Sequence, residues 1–103
     1  MVNKTSIVIL SYNTYELTKT CIESIRRFTP PGSYEVIVVD NGSEDSSSAW
    51  LKEQKDIKLL INEENKGFPA GCNQGIKIAA EGNDILLLNS DVIVTPRWLV
   101  NLQ

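Results

Sequence analysis

The chain has 103 residues, 42% hydrophobic and 22% charged, the balance of one soluble globular domain with no room for a second. Ten basic against thirteen acidic residues leave a net charge of -3, which speaks against a general nucleic-acid-binding or acidic-membrane surface. Histidine is absent, and with it imidazole acid–base chemistry, His-containing triads and His-ligated zinc, so a metal here would be held by oxygen as magnesium, manganese or calcium.

Short apolar runs alternate with segments of helical period, the pattern of a parallel α/β sheet. Ser6–Leu10 reads as a first strand, buried on both faces because its apolar residues do not alternate. Leu17, Cys21, Ile25 and Phe28 then recur at helical spacing and give a first helix one apolar stripe. Thr29-Pro30-Pro31-Gly32 ends it, since proline neither continues a helix nor lets the residue before it stay helical. Glu35–Val39 is the second strand. Asp40-Asn41-Gly42-Ser43 is a turn, with Ser43 the expected N-cap of a helix running to about Lys55. Ile57–Ile61 is the third strand and Asn62 to Gly67 a polar loop. The third helix is expected from about Pro69, with Cys72, Ile76 and Ala79 on its buried face and a stop at Gly82. Asp84–Leu88 is the fourth strand, followed by Asn89-Ser90-Asp91 and a helix opening near Pro96.

Cys21 and Cys72 fall on apolar helix positions without C-x-x-C spacing and read as small core residues. The strongest apolar runs, Ile7–Leu10, Val36–Val39 and Ile85–Leu88, are four residues each, against the roughly 20 needed to span a bilayer. One lysine and a short apolar run precede Ser11-Tyr12-Asn13, so no signal peptide is expected and the setting read is cytoplasmic and reducing.

In an open parallel sheet, ligands bind beyond the carboxyl ends of the strands. Those ends are Ser11-Tyr12-Asn13, Asp40-Asn41-Gly42-Ser43, Asn65-Lys66-Gly67 and Asn89-Ser90-Asp91, each polar and each following an apolar strand. Asp40 can accept hydrogen bonds from a ribose or a base N–H, or close an Asx-turn with Asn41 and Gly42. Asp91 can cap the next turn, or bridge a divalent cation to a diphosphate. Gly67 admits close backbone approach and Lys66 can meet phosphate, the bland alternative being a loop glycine beside a solvated lysine. Asn73 and Gln74 lie on the first turns of the third helix, where anions are favoured, or on an exposed polar helix face. Tyr12 either packs on a base or covers the sheet edge. Neither G-x-G-x-x-G nor the P-loop pattern is present, so a nucleotide held by acidic and amide edges with a metal is the reading left.

Ser6-Ile7-Val8-Ile9-Leu10-Ser11-Tyr12-Asn13, Val38-Val39-Asp40-Asn41-Gly42-Ser43, Asn65-Lys66-Gly67-Phe68 and Leu86-Leu87-Leu88-Asn89-Ser90-Asp91, in this order and spacing, resemble the amino-terminal half of family 2 glycosyltransferases. The resemblance covers essentially the whole chain. It implies a Rossmann-like GT-A half-domain, an α/β fold with a mostly parallel open sheet in the order 3-2-1-4 and helices on both faces. It implies that Ser11, Tyr12 and Asn13 line a nucleotide pocket, with Asn41 beside them, and that Asp40 contacts base or ribose. Asn65, Gly67 and Asn73 would shape the floor. Asn89-Ser90-Asp91 falls on the family's D-x-D motif, so Asp91 would bind Mg2+ or Mn2+ on the diphosphate. Asn89 replaces the first acidic residue there, which leaves Asn89 and Ser90 to the nucleotide and puts the metal on Asp91.

Such enzymes transfer a sugar, here expected from UDP or dTDP, to an acceptor hydroxyl with inversion, a carboxylate base taking the hydroxyl proton. In the family that base lies beyond the D-x-D motif, and this chain stops twelve residues after Asp91. The expectation is therefore one domain over 1–103, the donor-binding part of a larger transferase truncated near Gln103 and inactive alone. Its acceptor would be a glycan or lipid-linked, in bacterial envelope polysaccharide synthesis, with the inner membrane face reached through missing regions or through the acceptor. The alternatives are a non-catalytic nucleotide-binding or assembly module, and an unrelated doubly wound signalling domain. A half-domain should also leave the fourth strand with an exposed edge and apolar surface, and so tend to self-associate.

Overall fold

A computed structural model of the chain describes residues 4–99. Four strands, β1 (Thr5–Ser11), β2 (Tyr34–Asp40), β3 (Ile57–Ile61) and β4 (Asp84–Asn89), alternate with three helices, α1 (Tyr15–Phe28), α2 (Ser47–Lys52) and α3 (Phe68–Ile78). The strands form one sheet in the order β3-β2-β1-β4, every neighbouring pair parallel. Both the expected class and the expected strand order are borne out. The helix expected to open near Pro96 lies largely outside the described residues.

Register places apolar side chains in rows across the sheet. Leu59, Val38, Ile9 and Leu88 form one row, and Ile57, Val36, Ile7 and Leu86 the next. Cys21, Ile22 and Ile25 of α1 pack on this face with Leu51 of α2 and Val94. The chain steps β1 to β2 to β3 in one direction, then reverses to reach β4. Right-handed crossovers therefore send α3 to the opposite face.

There α3 approaches through glycine. A Cβ at Gly71 would collide with Leu10 Cδ1, and one at Gly75 with Val8 Cγ1, so the helix backbone lies directly on β1. This corrects the expected buried face: Cys72 is buried, but Ile76 is exposed and Ala79 only half-buried, and Gly71 and Gly75 take their place. Narrow coverage by α3 also leaves Ile85 and Leu87 of β4 at 41% and 46% exposure, the uncovered apolar surface anticipated for the outer strand.

Two further local expectations change. Leu17 is 49% exposed, because the α1 stripe runs through Thr18, Cys21, Ile22 and Ile25 while Leu17 stands beyond the strand ends. The second helix begins at Ser47 and ends at Lys52, inside the expected span from Ser43 to about Lys55. Ser43 does not cap it: its Oγ accepts the Asn13 N–H at 2.8 Å, and the Ser47 N–H donates instead to Asp45 Oδ1 at 2.9 Å.

Candidate functional site

All four polar strand ends lie at one edge, because every strand runs the same way. Between the ends of β1 and β4, where the strand order reverses, a cleft of about 320 Å³ is lined by Leu10, Thr14, Leu17, Phe68, Asn89 and Asp91 among others. This is the switch point at which open α/β sheets hold ligands.

The β1 loop is braced rather than loose. Ser11 is buried, its Oγ 2.9 Å from Thr18 Oγ1. Tyr12 is exposed. Asn13 takes the left-handed backbone at φ 51°, which non-glycine residues rarely adopt and Asn tolerates best. Its Oδ1 accepts the Glu44 N–H at 2.7 Å, tying the β1 loop to the β2 loop. Asp45 extends the tie by accepting the Tyr15 N–H at 3.1 Å, satisfying an orphan donor of the first turn of α1.

Asp40 closes β2 and is fully buried. Its Oδ1 accepts the Ser43 N–H at 3.2 Å, the Asx-turn geometry considered for it. Its Oδ2 is buried with no hydrogen-bond partner in the described structure. Buried acceptors are almost always satisfied, so an orphan oxygen on a strand end at a sheet mouth calls for a donor from elsewhere.

Beside it, Asn41 is buried and turned inward. Its Oδ1 accepts from Lys66 N at 2.9 Å and Asn62 Nδ2 at 3.1 Å, and its Nδ2 donates to Asn65 Oδ1 at 3.0 Å and the Gly67 carbonyl at 3.2 Å. Asn41 therefore templates the Asn65–Gly67 loop. Gly67 itself sits at φ 86° with open space about its Cα, so backbone conformation requires the glycine there. Gly42, also at φ 86°, has the backbone of Glu64 against it, 2.8 Å from where a Cβ would stand. Asn73 is exposed on α3, and Lys66 is exposed on the loop.

At the end of β4, Asn89 and Asp91 are exposed and Ser90 is half-buried. Ser90 Oγ lies 3.3 Å from Thr14 Oγ1, which in turn is 2.9 Å from Thr18 Oγ1. Cys21 donates its thiol to the Asn89 carbonyl at 3.8 Å. Burial, and then the negative charge of Asp91, push that thiol up to about 11, so Cys21 is a neutral core thiol. Among the described residues no group of three or more Cys, Asp or Glu side chains could by itself hold a metal. The donor set is hard oxygen from Asp91 with an amide beside it, which suits Mg2+ or Mn2+ only if a ligand's own oxygens complete the shell.

The structure thus gathers Ser11, Asn13, Asp40, Asn41, Asn65 and Gly67 around the β1–β3 ends and sets Asn89, Ser90 and Asp91 across the cleft. Asn62, Thr14 and Thr18 join this set through their hydrogen bonds, outside the polar strand-end motifs. Asn62 was recoverable as the first residue after the third strand, whereas the two threonines carry no signal beyond helix-start composition.

Residues 6–103 match the model of the family described as glycosyl transferase family 2. The chain belongs to that family. It is 38% identical over 94 residues to the poly(ribitol-phosphate) beta-glucosyltransferase of Bacillus spizizenii, covering 85% of this chain and 15% of the relative. Glycosyltransferase AglE of Haloferax volcanii is 32% identical over 99 residues, covering 91% of this chain and 32% of the relative. Among solved structures, TarS residues 1–349 from S. aureus superposes with TM-score 0.84 at 24% identity, covering 96% of this chain and 31% of that one. The same TarS segment in complex with UDP-GlcNAc gives 0.79 at 25% identity, over 96% of this chain and 30% of that one. The mannosyltransferase PcManGT from Pyrobaculum calidifontis, in complex with GDP-Man and Mn2+, gives 0.78 at 21% identity, over 94% of this chain and 30% of that one. Its likeness is one of fold. This family 2 chain spans about a third or less of the relatives' length. No helix among its described residues is long and apolar enough to cross a membrane.

Proposed function

We propose that residues 1–103 are the donor-binding part of an inverting, nucleotide-sugar-dependent glycosyltransferase. The observation that carries this is Asp40 Oδ2, buried and without a partner at the carboxyl end of β2. A base N–H or ribose hydroxyl would supply the missing donor. Ser11, Tyr12, Asn13, Asn65, Gly67 and Asn73 surround the nucleotide in this reading, with Asn41 setting the loop beneath it. Asn89 and Ser90 face the ribose and diphosphate across the cleft. TarS with UDP-GlcNAc supports a UDP-linked donor, with a dTDP-sugar the second candidate. The acceptor would be a glycan or lipid-linked hydroxyl, met in the cytoplasm or at the inner membrane face.

Asp91, with Asn89 beside it, would hold a divalent cation against the diphosphate. Such a cation neutralises charge building on the leaving nucleoside diphosphate. Asn89 adds an amide dipole but no charge, so this site should hold the cation only with the diphosphate present. No described carboxylate at this edge is placed as the base. Asp45 accepts the Tyr15 and Ser47 N–H groups, and Asp84 begins β4 at the opposite edge of the sheet. The base that deprotonates the acceptor is assigned to a segment of the enzyme outside these 103 residues, leaving this chain alone without transfer activity.

The outer strand β4 has one backbone edge beyond its pairing with β1, next to exposed Ile85 and Leu87. Self-association through that edge is part of the proposal.

Calorimetric titration of the chain with UDP, with and without Mn2+, tests the reading. Saturable binding that Mn2+ strengthens, with the Mn2+ effect lost in Asp91→Ala, supports it. Failure to bind UDP, GDP and dTDP alike would remove it.

A further inference from the structure

Asn62 is buried at the end of β3, and Gln74 is half-buried on α3. Their amides meet head to tail: Asn62 Nδ2 donates to Gln74 Oε1 at 2.8 Å, and Gln74 Nε2 donates to Asn62 Oδ1 at 3.0 Å. The other Asn62 Nδ2 hydrogen goes to Asn41 Oδ1 at 3.1 Å.

The orientation of each amide follows from backbone groups that cannot be reversed. The Lys66 N–H only donates and the Gly67 carbonyl only accepts, so Asn41 must set its Oδ1 toward Lys66 and its Nδ2 toward Gly67. Asn41 Oδ1 then demands a donor from Asn62, which leaves Asn62 Oδ1 to demand one from Gln74. Flipping any one amide would oppose donor to donor or acceptor to acceptor. The network thus runs from α3, through the ends of β3 and β2, into the loop carrying Asn65 and Gly67. The Gly67 carbonyl also accepts the Gly71 N–H at 3.1 Å, so the same chain of bonds sets the first turn of α3.

We propose that Asn62 and Gln74 are positioning residues for the nucleotide site, holding the Asn65–Gly67 loop in its binding geometry through Asn41 without touching the ligand. This rests on the nucleotide-binding reading above. Truncating Gln74 strands one donor and one acceptor on buried Asn62, which recovers them by turning from Asn41; Asn41 then loses its tie to the end of β3, and its hold on the Lys66 N–H weakens.

Hydrogen exchange by NMR and calorimetry with UDP and Mn2+ on Gln74→Leu test this, with Glu35→Gln as a control that weakens the fold at the opposite edge of the sheet. Gln74→Leu should speed exchange at Lys66 and Gly67 about tenfold relative to Ile7 and Ile9, and raise the UDP Kd about tenfold. Glu35→Gln should lower Tm with neither effect. Should Gln74→Leu fail to fold, Asn62→Asp, nearly isosteric but without a hydrogen for Asn41 Oδ1, should show the same pair of changes. Wild-type protection at Lys66 and Gly67, or a Kd no higher than the control's, in the folded variant overturns the proposal alone. Absence of nucleotide binding in the wild-type chain overturns the nucleotide reading, and the proposal with it.

Discussion

Glu35 and Lys58 join β2 to β3 through a 2.8 Å ion pair at the sheet edge away from the candidate site. The other Glu35 oxygen accepts the Ser6 hydroxyl at 2.6 Å and the Ala80 N–H at 2.7 Å, while Lys58 donates to the Ile78 carbonyl at 3.3 Å. One carboxylate therefore pins the end of α3 to three strands.

Burial pushes the Glu35 carboxyl up, but the Ala80, Lys58 and Ser6 bonds outweigh it and bring the group down from 4.5 to about 2. A lowered folded-state value means stability fully present above 4.5 and lost as pH falls from there toward 2. Asp56, held down by the Arg26 guanidinium despite some burial, loses its contribution in the same direction. Glu35→Gln should cost about 1–2 kcal/mol at pH 7, after allowance for solvent screening of this part-exposed pair, and flatten the fall in Tm below pH 4.5. An unchanged acid limb in a Tm-against-pH series would contradict the assignment.

Asp40→Ala should separate binding from stability. It removes a buried orphan oxygen along with the Ser43 bond, two effects that nearly cancel, so stability should stay within about 1 kcal/mol of wild type. UDP affinity should fall by about tenfold, as expected when a buried hydrogen-bond partner of the ligand is removed. A large loss of stability with affinity intact would make Asp40 a structural turn residue.

Gly75→Ala and Gly71→Ala should differ although both glycines press on β1. Val8, against Gly75, is β-branched and stiff, so overpacking should cost about 1–3 kcal/mol despite the helix-propensity gain. The Leu10 methyl against Gly71 ends a more flexible side chain beside the open cleft. Gly71→Ala should therefore cost less than about 1 kcal/mol. Urea denaturation of the two variants reads the order directly.

Leu87→Glu should suppress self-association. Charge on an outer strand blocks edge pairing, and Leu87 is already half-exposed, so the fold should lose less than about 1 kcal/mol. Sedimentation velocity should show wild type associating with concentration and the variant monomeric. A monomeric wild type would remove this part of the proposal.

The strands are legible because three of them carry continuous four-residue apolar runs and β3 is broken only by Lys58, and their common direction makes the strand-end search meaningful. Legibility failed where glycine or a loop side chain carried the packing. Hydrophobic periodicity treats Gly71 and Gly75 as silent and so put Ile76 inward, whereas the missing Cβ atoms are what brings α3 onto Leu10 and Val8. Ser43 is a sound N-cap by residue type, but Asn13 claims its hydroxyl from a different loop. By position alone Asn41 reads as a ligand contact; its side-chain bonds reach residues more than twenty positions away, a pairing no local pattern encodes.

The pairing of Thr5 with Asp84 has a consequence during synthesis. β1 emerges from the ribosome first, yet one of its two edges has no partner until β4 has been translated. At about 5–20 residues per second that interval is on the order of ten seconds. Throughout it, the most deeply buried strand of the sheet offers an open edge to any nearby nascent chain, and a holdase chaperone has its clearest opportunity there.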